Sequence, residues 1–107
     1  MESKQTALIV GMAKSGIGAA KLLTSVGWNV LINDKKTEID GLSEALSGVS
    51  VAWHLGEDPV GLFEGVSLIV ISPIIPMSVP FVVEARRRGI EVISEIELGY
   101  RYSHAEF

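Results

Sequence analysis

Five short runs rich in apolar residues punctuate the chain: Thr6 to Val10, Trp28 to Asn33, Val49 to His54, Val66 to Ile71 and Ile90 to Ser94. Unbroken apolar character, as in Leu68-Ile69-Val70-Ile71, marks strands covered on both faces, whereas a half-exposed strand would alternate apolar with polar. Candidate helices alternate with them at Gly16 to Val26, Leu42 to Leu46, Pro59 to Glu64 and Pro80 to Arg88. Gly27, Gly48, Gly65 and Gly89 each stand between a helix and the next strand, where a left-handed C-cap favours glycine. Asp58-Pro59 reads as an N-cap followed by proline at the first helical position, and Pro80 can fill that position in its own helix. Ser94 with Glu97 forms a capping box for a last helix ending near Tyr102.

Strand and helix in regular alternation predict a parallel sheet. The expected fold class is α/β: a Rossmann-like doubly wound five-stranded parallel sheet, order 3-2-1-4-5, with helices on both faces. Residues 1–107 are expected to form a single domain. In this topology the connections after strands 1 and 4 leave in opposite directions and open a crevice at the strand C-termini. Three segments are expected to meet there: Gly11 to Gly16, Asn33-Asp34-Lys35-Lys36, and Ser72-Pro73-Ile74-Ile75-Pro76.

Composition narrows the chemistry. With 48% hydrophobic and 21% charged residues the chain has the makings of a packed core. A net charge of −4 argues against a nucleic-acid surface, which needs an excess of Lys and Arg. Cysteine is absent, which excludes disulfides and thiolate chemistry and fits a reducing compartment. Gly65 to Val83 carries no charge and approaches the length of a membrane span, yet Pro73, Pro76 and Pro80 interrupt the helix that lipid would demand. No membrane partner is expected. Met1-Glu2-Ser3-Lys4 leads directly into the first strand without a secretory leader, so a cytoplasmic location is the expectation.

The candidate binding residues follow from the crevice. A strand turning on Gly11 into a helix presents unpaired backbone N–H groups, and the positive end of the helix dipole, to one point; an anion, foremost a diphosphate, suits it. Gly11 and Gly16 fit the first and third glycines of the dinucleotide fingerprint, but Ala13 occupies the middle position. Lys14 and Ser15 add a cation and a hydroxyl, and the alternative is a plain strand-to-helix turn. Asp34 ends strand 2, where a carboxylate commonly meets a ribose or base, while Lys35 and Lys36 suit phosphate, including the extra phosphate of NADP. Ser72-Pro73 offers a wall with one hydroxyl, or else only ends strand 4 and sets up the next helix. No catalytic residue is expected. His54 and His104 lack a cluster of ligands, so metal binding is not expected. Glu95 and Glu97 diverge on their helix, unlike a paired acid and base. Arg86-Arg87-Arg88 closes a helix where positive charge favours the dipole, and Trp28 and Trp53 read as core.

Gly-Met-Ala-Lys-Ser-Gly (11 to 16), Asn-Asp-Lys (33 to 35), Ser-Pro-Ile-Ile-Pro (72 to 76), Arg-Arg-Gly-Ile-Glu-Val (87 to 92) and Ser-Glu-Ile-Glu-Leu (94 to 98) together resemble the N-terminal domain of the MurD branch of the Mur ligases of peptidoglycan synthesis. The likeness covers essentially the whole chain. It implies a domain that binds the UDP end of UDP-N-acetylmuramoyl-L-alanine, with the Lys14 and Ser15 amides on the diphosphate, Asp34 and Lys35 at the uracil, Lys36 by the phosphates, and Ser72, Pro73 and Ile74 on the other side. The family usually has glycine where this chain has Ile74. It also implies that ATP and Mg2+ serve a full-length ligase through a central domain with a Gly-x-x-Gly-Lys-Thr/Ser loop: ATP phosphorylates the substrate carboxylate, and the D-glutamate amine attacks the acyl phosphate, displacing phosphate to form an amide. This chain has no such loop, so no cofactor is expected here, and the chain reads as an excised N-terminal domain that binds and does not catalyse. Two other readings stay open: an NAD(P)-binding domain of an oxidoreductase, and a regulatory or interaction domain that binds no nucleotide.

Overall fold

The computed structural model describes residues 5–11 and 14–104. Strands β1 (Thr6–Val10), β2 (Asn29–Asp34), β3 (Ala52–Leu55), β4 (Leu68–Ile71) and β5 (Glu91–Ser94) form one sheet. Its order is β3-β2-β1-β4-β5, with every pair parallel. Helices α1 (Lys14–Ser25), α2 (Leu42–Ala45) and α3 (Pro80–Arg87), with a 3-10 turn at Pro59–Leu62, lie in the crossovers, and α4 (Glu95–His104) follows the last strand. The fold is therefore the five-stranded doubly wound sheet expected from the alternation of elements.

Side chains of successive strand residues point to opposite faces, and that period divides the core in two. Ala7, Ile9, Val30, Ile32, Leu68, Val70 and Ile93 face α1, α2 and α4 and pack against Ala19, Ala20, Leu23, Leu42 and Leu98. Leu8, Val10, Ile69, Ile71 and Val92 face α3 and the 3-10 turn, meeting Phe63, Val66, Val82 and Ala85. Each fully buried Leu or Ile contributes about 1.5–3 kcal/mol through apolar area removed from water.

The helix punctuation operates as the sequence predicts. All four glycines that precede strands have positive φ, between 81° and 98°. At the end of α1 the Trp28 amide donates to the Leu23 carbonyl and the Gly27 amide to that of Thr24; at the end of α3, Ile90 donates to Ala85 and Gly89 to Arg86. These paired bonds satisfy carbonyls that a helix end would otherwise strand. Asp58 caps the 3-10 turn, its Oδ1 accepting from the Val60 amide at 3.0 Å.

Four expectations are corrected. The Pro59 to Glu64 helix is a single 3-10 turn ending at Leu62, with Gly61 inside it lowering helix propensity. The third strand begins at Ala52 and not at Val49, because its ladder with β2 starts where Ala52 meets Leu31. Trp53 is 44% exposed. It stands on edge strand β3 beside the 37–43 segment, and hydrophobicity alone does not distinguish an edge from a centre. The capping box at α4 is one-sided: the Glu97 amide donates to Ser94 Oγ at 3.2 Å, but the Glu97 carboxylate accepts from Arg101 Nε.

Candidate functional site

The reversal of strand order between β1 and β4 leaves a cleft of about 640 Å³ at the C-terminal ends of the strands. Its lining brings together Val10 and Gly11 from the end of β1, Asn33 to Lys36 from the end of β2, and Ile74 to Pro76 after β4. Pro59, Val79, Pro80 and Phe81 complete an apolar wall. A mostly apolar cleft of this size, with few polar groups at one end, is typical of small-molecule sites, which span about 300–1,000 Å³.

Gly11 begins the first connection with φ +97°, a conformation that excludes other residues without strain. Its amide donates to the Asn33 carbonyl at 2.8 Å, tying the end of β1 to that of β2. Gly16 lies in the first turn of α1, directly against that bend. A Cβ there would come within 2.3 Å of the Gly11 carbonyl oxygen, so glycine lets the helix start pack onto the strand end. Gly16 is buried. Lys14 and Ser15 are the first two residues of α1, where backbone N–H groups have no intrahelical acceptor. Ala13 lies outside the described residues.

At the end of β2, Asp34 Oδ1 accepts from the Lys36 amide at 3.0 Å, and the Asp34 carbonyl accepts from the Gly56 amide at 2.7 Å. The resulting tight turn puts Asp34, Lys35 and Lys36 together on the cleft, with both lysines exposed. Across from them, Ser72 braces the opposite wall. Its carbonyl accepts from the Ile75 amide at 3.0 Å and its Oγ from the Ile74 amide at 3.4 Å, which turns Ile74 and Ile75 into the cleft while Ser72 and Pro73 form the turn behind. Ile74 is 87% exposed.

Asn33 belongs to an expected segment, but its role there, and the lining by Pro59 and Phe81, escape the sequence reading. Asn33 is 2% exposed, and its Nδ2 donates to the carbonyls of His54 at 2.9 Å and Glu57 at 2.8 Å. One side chain thus joins the ends of β2 and β3 beside the cleft; an amide side chain inside an otherwise apolar strand is the available signal. Pro59 and Phe81 enter through tertiary packing and have no local signature. His54 Nδ1 lies 3.1 Å from Glu57 Oε1. Among the described residues no group of three or more His, Asp or Glu side chains could hold a metal ion, and no helix is long and apolar enough to cross a membrane.

Fold and cleft define a Rossmann-like α/β domain with its cleft at the topological switch point. A wide set of proteins shares that fold: an imine reductase from Myxococcus stipitatus, solved with NAD+, superposes with a TM-score of 0.56 at 16% identity, covering 86% of this chain and 40% of its own. A UDP-N-acetylmuramate:L-alanyl-gamma-D-glutamyl-meso-diaminopimelate ligase from Neisseria meningitides superposes with a TM-score of 0.67 at 20% identity, covering 87% of this chain and 29% of its own. In sequence, the model of the Mur ligase MurD-like N-terminal domain matches residues 5–94. The UDP-N-acetylmuramoylalanine-D-glutamate ligase of Crocosphaera subtropica is 41% identical over 100 residues, 91% of this chain and 22% of that protein. The chain belongs to the Mur ligase family as a MurD-like N-terminal domain. It spans about a fifth of the length of the curated relatives it matches.

Proposed function

We propose that this domain binds the UDP end of UDP-N-acetylmuramoyl-L-alanine on behalf of a longer ATP-dependent ligase that adds D-glutamate to it. The observation that carries the reading is the convergence of Gly11, the Asp34 to Lys36 turn and the Ile74 to Pro76 wall on one cleft. The diphosphate would lie at the first turn of α1, where the Lys14 and Ser15 amides would have no intrahelical acceptor and the helix dipole favours negative charge. Gly16 would allow the close packing that fixes this turn. Asp34 would accept from the uracil, with Lys35 beside it, and Lys36 would neutralise phosphate charge. Ile74, on the wall that Ser72 and Pro73 turn, would cover the ligand from the other side. ATP and Mg2+ would be handled by other parts of the longer protein, since no phosphate loop of the Walker type occurs in this sequence.

The test is a heteronuclear NMR titration of the domain with UDP and, separately, with NADPH. UDP should bind weakly and shift the amides of Lys14, Ser15, Asp34 and Lys36. Lys36→Ala should weaken UDP by about 1–2 kcal/mol, the worth of a charge-assisted hydrogen bond. Shifts with NADPH alone would replace the ligase reading by an oxidoreductase one. No response to either ligand at millimolar concentration would favour an interaction domain.

A further inference from the structure

A buried carboxylate lies against the turn on which the proposed diphosphate site depends. Glu95, the first residue of α4, is buried, and both oxygens of its carboxylate are shielded from solvent. Its Oε2 lies 3.4 Å from the point where a Cβ on Gly16 would stand, so the carboxylate abuts the first turn of α1. Glu97, two residues further, faces the surface and bonds Arg101 instead. Taking a carboxylate out of water is costly and persists only where fixed dipoles or donors answer its charge. The N-terminal end of the 12-residue α1 is such a dipole.

We propose that Glu95 is a positioning residue for the phosphate loop. Reaching across from α4, it holds the first turn of α1 in its binding shape before any ligand arrives, so the amides that receive the diphosphate are already ordered. Preorganisation of this kind raises affinity by removing an ordering cost from the binding step. The ligand half of the inference rests on the UDP reading; the ordering half does not.

Glu95→Ala and Glu95→Gln separate the possibilities. In the ligand-free protein, 15N relaxation order parameters at residues 14–17 should fall from about 0.85 toward about 0.6 in Glu95→Ala, while those of β1 and β4 stay unchanged. Glu95→Gln keeps an acceptor of the same length but not the charge and should restore them in part. UDP affinity should drop at least about fivefold in Glu95→Ala, while uridine, which lacks the diphosphate, should change less than about twofold. Unchanged order parameters at 14–17, or an equal loss across β1 and β4, would overturn the proposal, as would equal weakening of UDP and uridine. If the unmutated domain fails to bind UDP yet the order parameters respond as described, the UDP reading falls and the positioning role stands. If it binds UDP and the order parameters do not respond, the positioning role alone falls.

Discussion

Gly16 and Gly18 occupy the same helix two residues apart and meet opposite surroundings. A Cβ on Gly16 would stand 2.3 Å from the Gly11 carbonyl oxygen, whereas one on Gly18 would meet nothing within 4 Å. Gly16→Ala must therefore push the helix start off the strand end and should cost about 2 kcal/mol or more, the range for overpacking against a rigid neighbour. Gly18→Ala gains helix propensity in open space and should stabilise by about 0.5–1 kcal/mol. Urea midpoints of the two variants check the pair, and equal effects would mean that the helix start yields easily. The spacing of Gly11 and Gly16 marks a tight turn in sequence; the reason for the second glycine becomes visible only when the carbonyl it faces is in place. Asn33 makes the same point: an amide in an apolar strand is a local signal, but its bonds to the carbonyls of His54 on β3 and Glu57 just beyond are visible only in the fold.

Among the elements, α3 carries the clearest electrostatic signature. Glu84 accepts from Arg87 Nε at 3.0 Å and from Arg88 Nε at 2.6 Å, and Arg88 also lies over the Phe63 ring, 5.4 Å from its centroid. The bonds from Arg87 first and Arg88 second hold the Glu84 carboxyl at about 2, below its ordinary value of 4.5. A folded-state value below the unfolded one means that the unfolded chain binds more protons between the two, so stability rises with pH there. The contribution of Glu84 is complete above about pH 4.5 and is lost as pH falls toward about 2. Glu84→Gln should flatten that part of the acid limb, measured as urea midpoints between about pH 2.5 and 6 against the unmutated domain. Parallel curves would show that the pair is absent in solution. The arginines at this helix end are legible from sequence as a favourable C-terminus, but their shared carboxylate one turn back is not named by that rule. Element boundaries follow the same logic. β1 was readable to the residue because glycine ends it and both its faces are buried, whereas β3 shortens to Ala52–Leu55 because only its neighbour in the sheet determines where pairing begins.

At the scale of the molecule, the order of the strands was deducible because the rhythm of helix, glycine and strand leaves few right-handed solutions. The location of the cleft follows from that order, and of the three expected segments Gly11, the Asn33 to Lys36 run and Ile74 to Pro76 line it. The apolar wall from Pro59 and Phe81 was not legible, because these residues reach the cleft through packing of separate crossovers. A ligand bound only by the folded chain stabilises all of it. UDP at about ten times its Kd should add about 1.4 kcal/mol and raise Tm by about 6–11 °C. A thermal scan with UDP and with NADPH reads this directly; an unchanged Tm under saturating UDP would mean that the unfolded chain binds as well or that the cleft is not the site.

β1 lies at the centre of the sheet, paired on both sides, and Ala7, Leu8 and Ile9 have no solvent exposure at all. The bend at Gly11 is anchored to this most enclosed strand, while Lys35, Lys36 and Ile74 project from more accessible connections around it. The domain thus separates a fixed grip from an adjustable rim. On the proposed reading, substitutions around the mouth of the cleft would retune which nucleotide head group is accepted without disturbing the anchorage that would hold the charged part of the ligand.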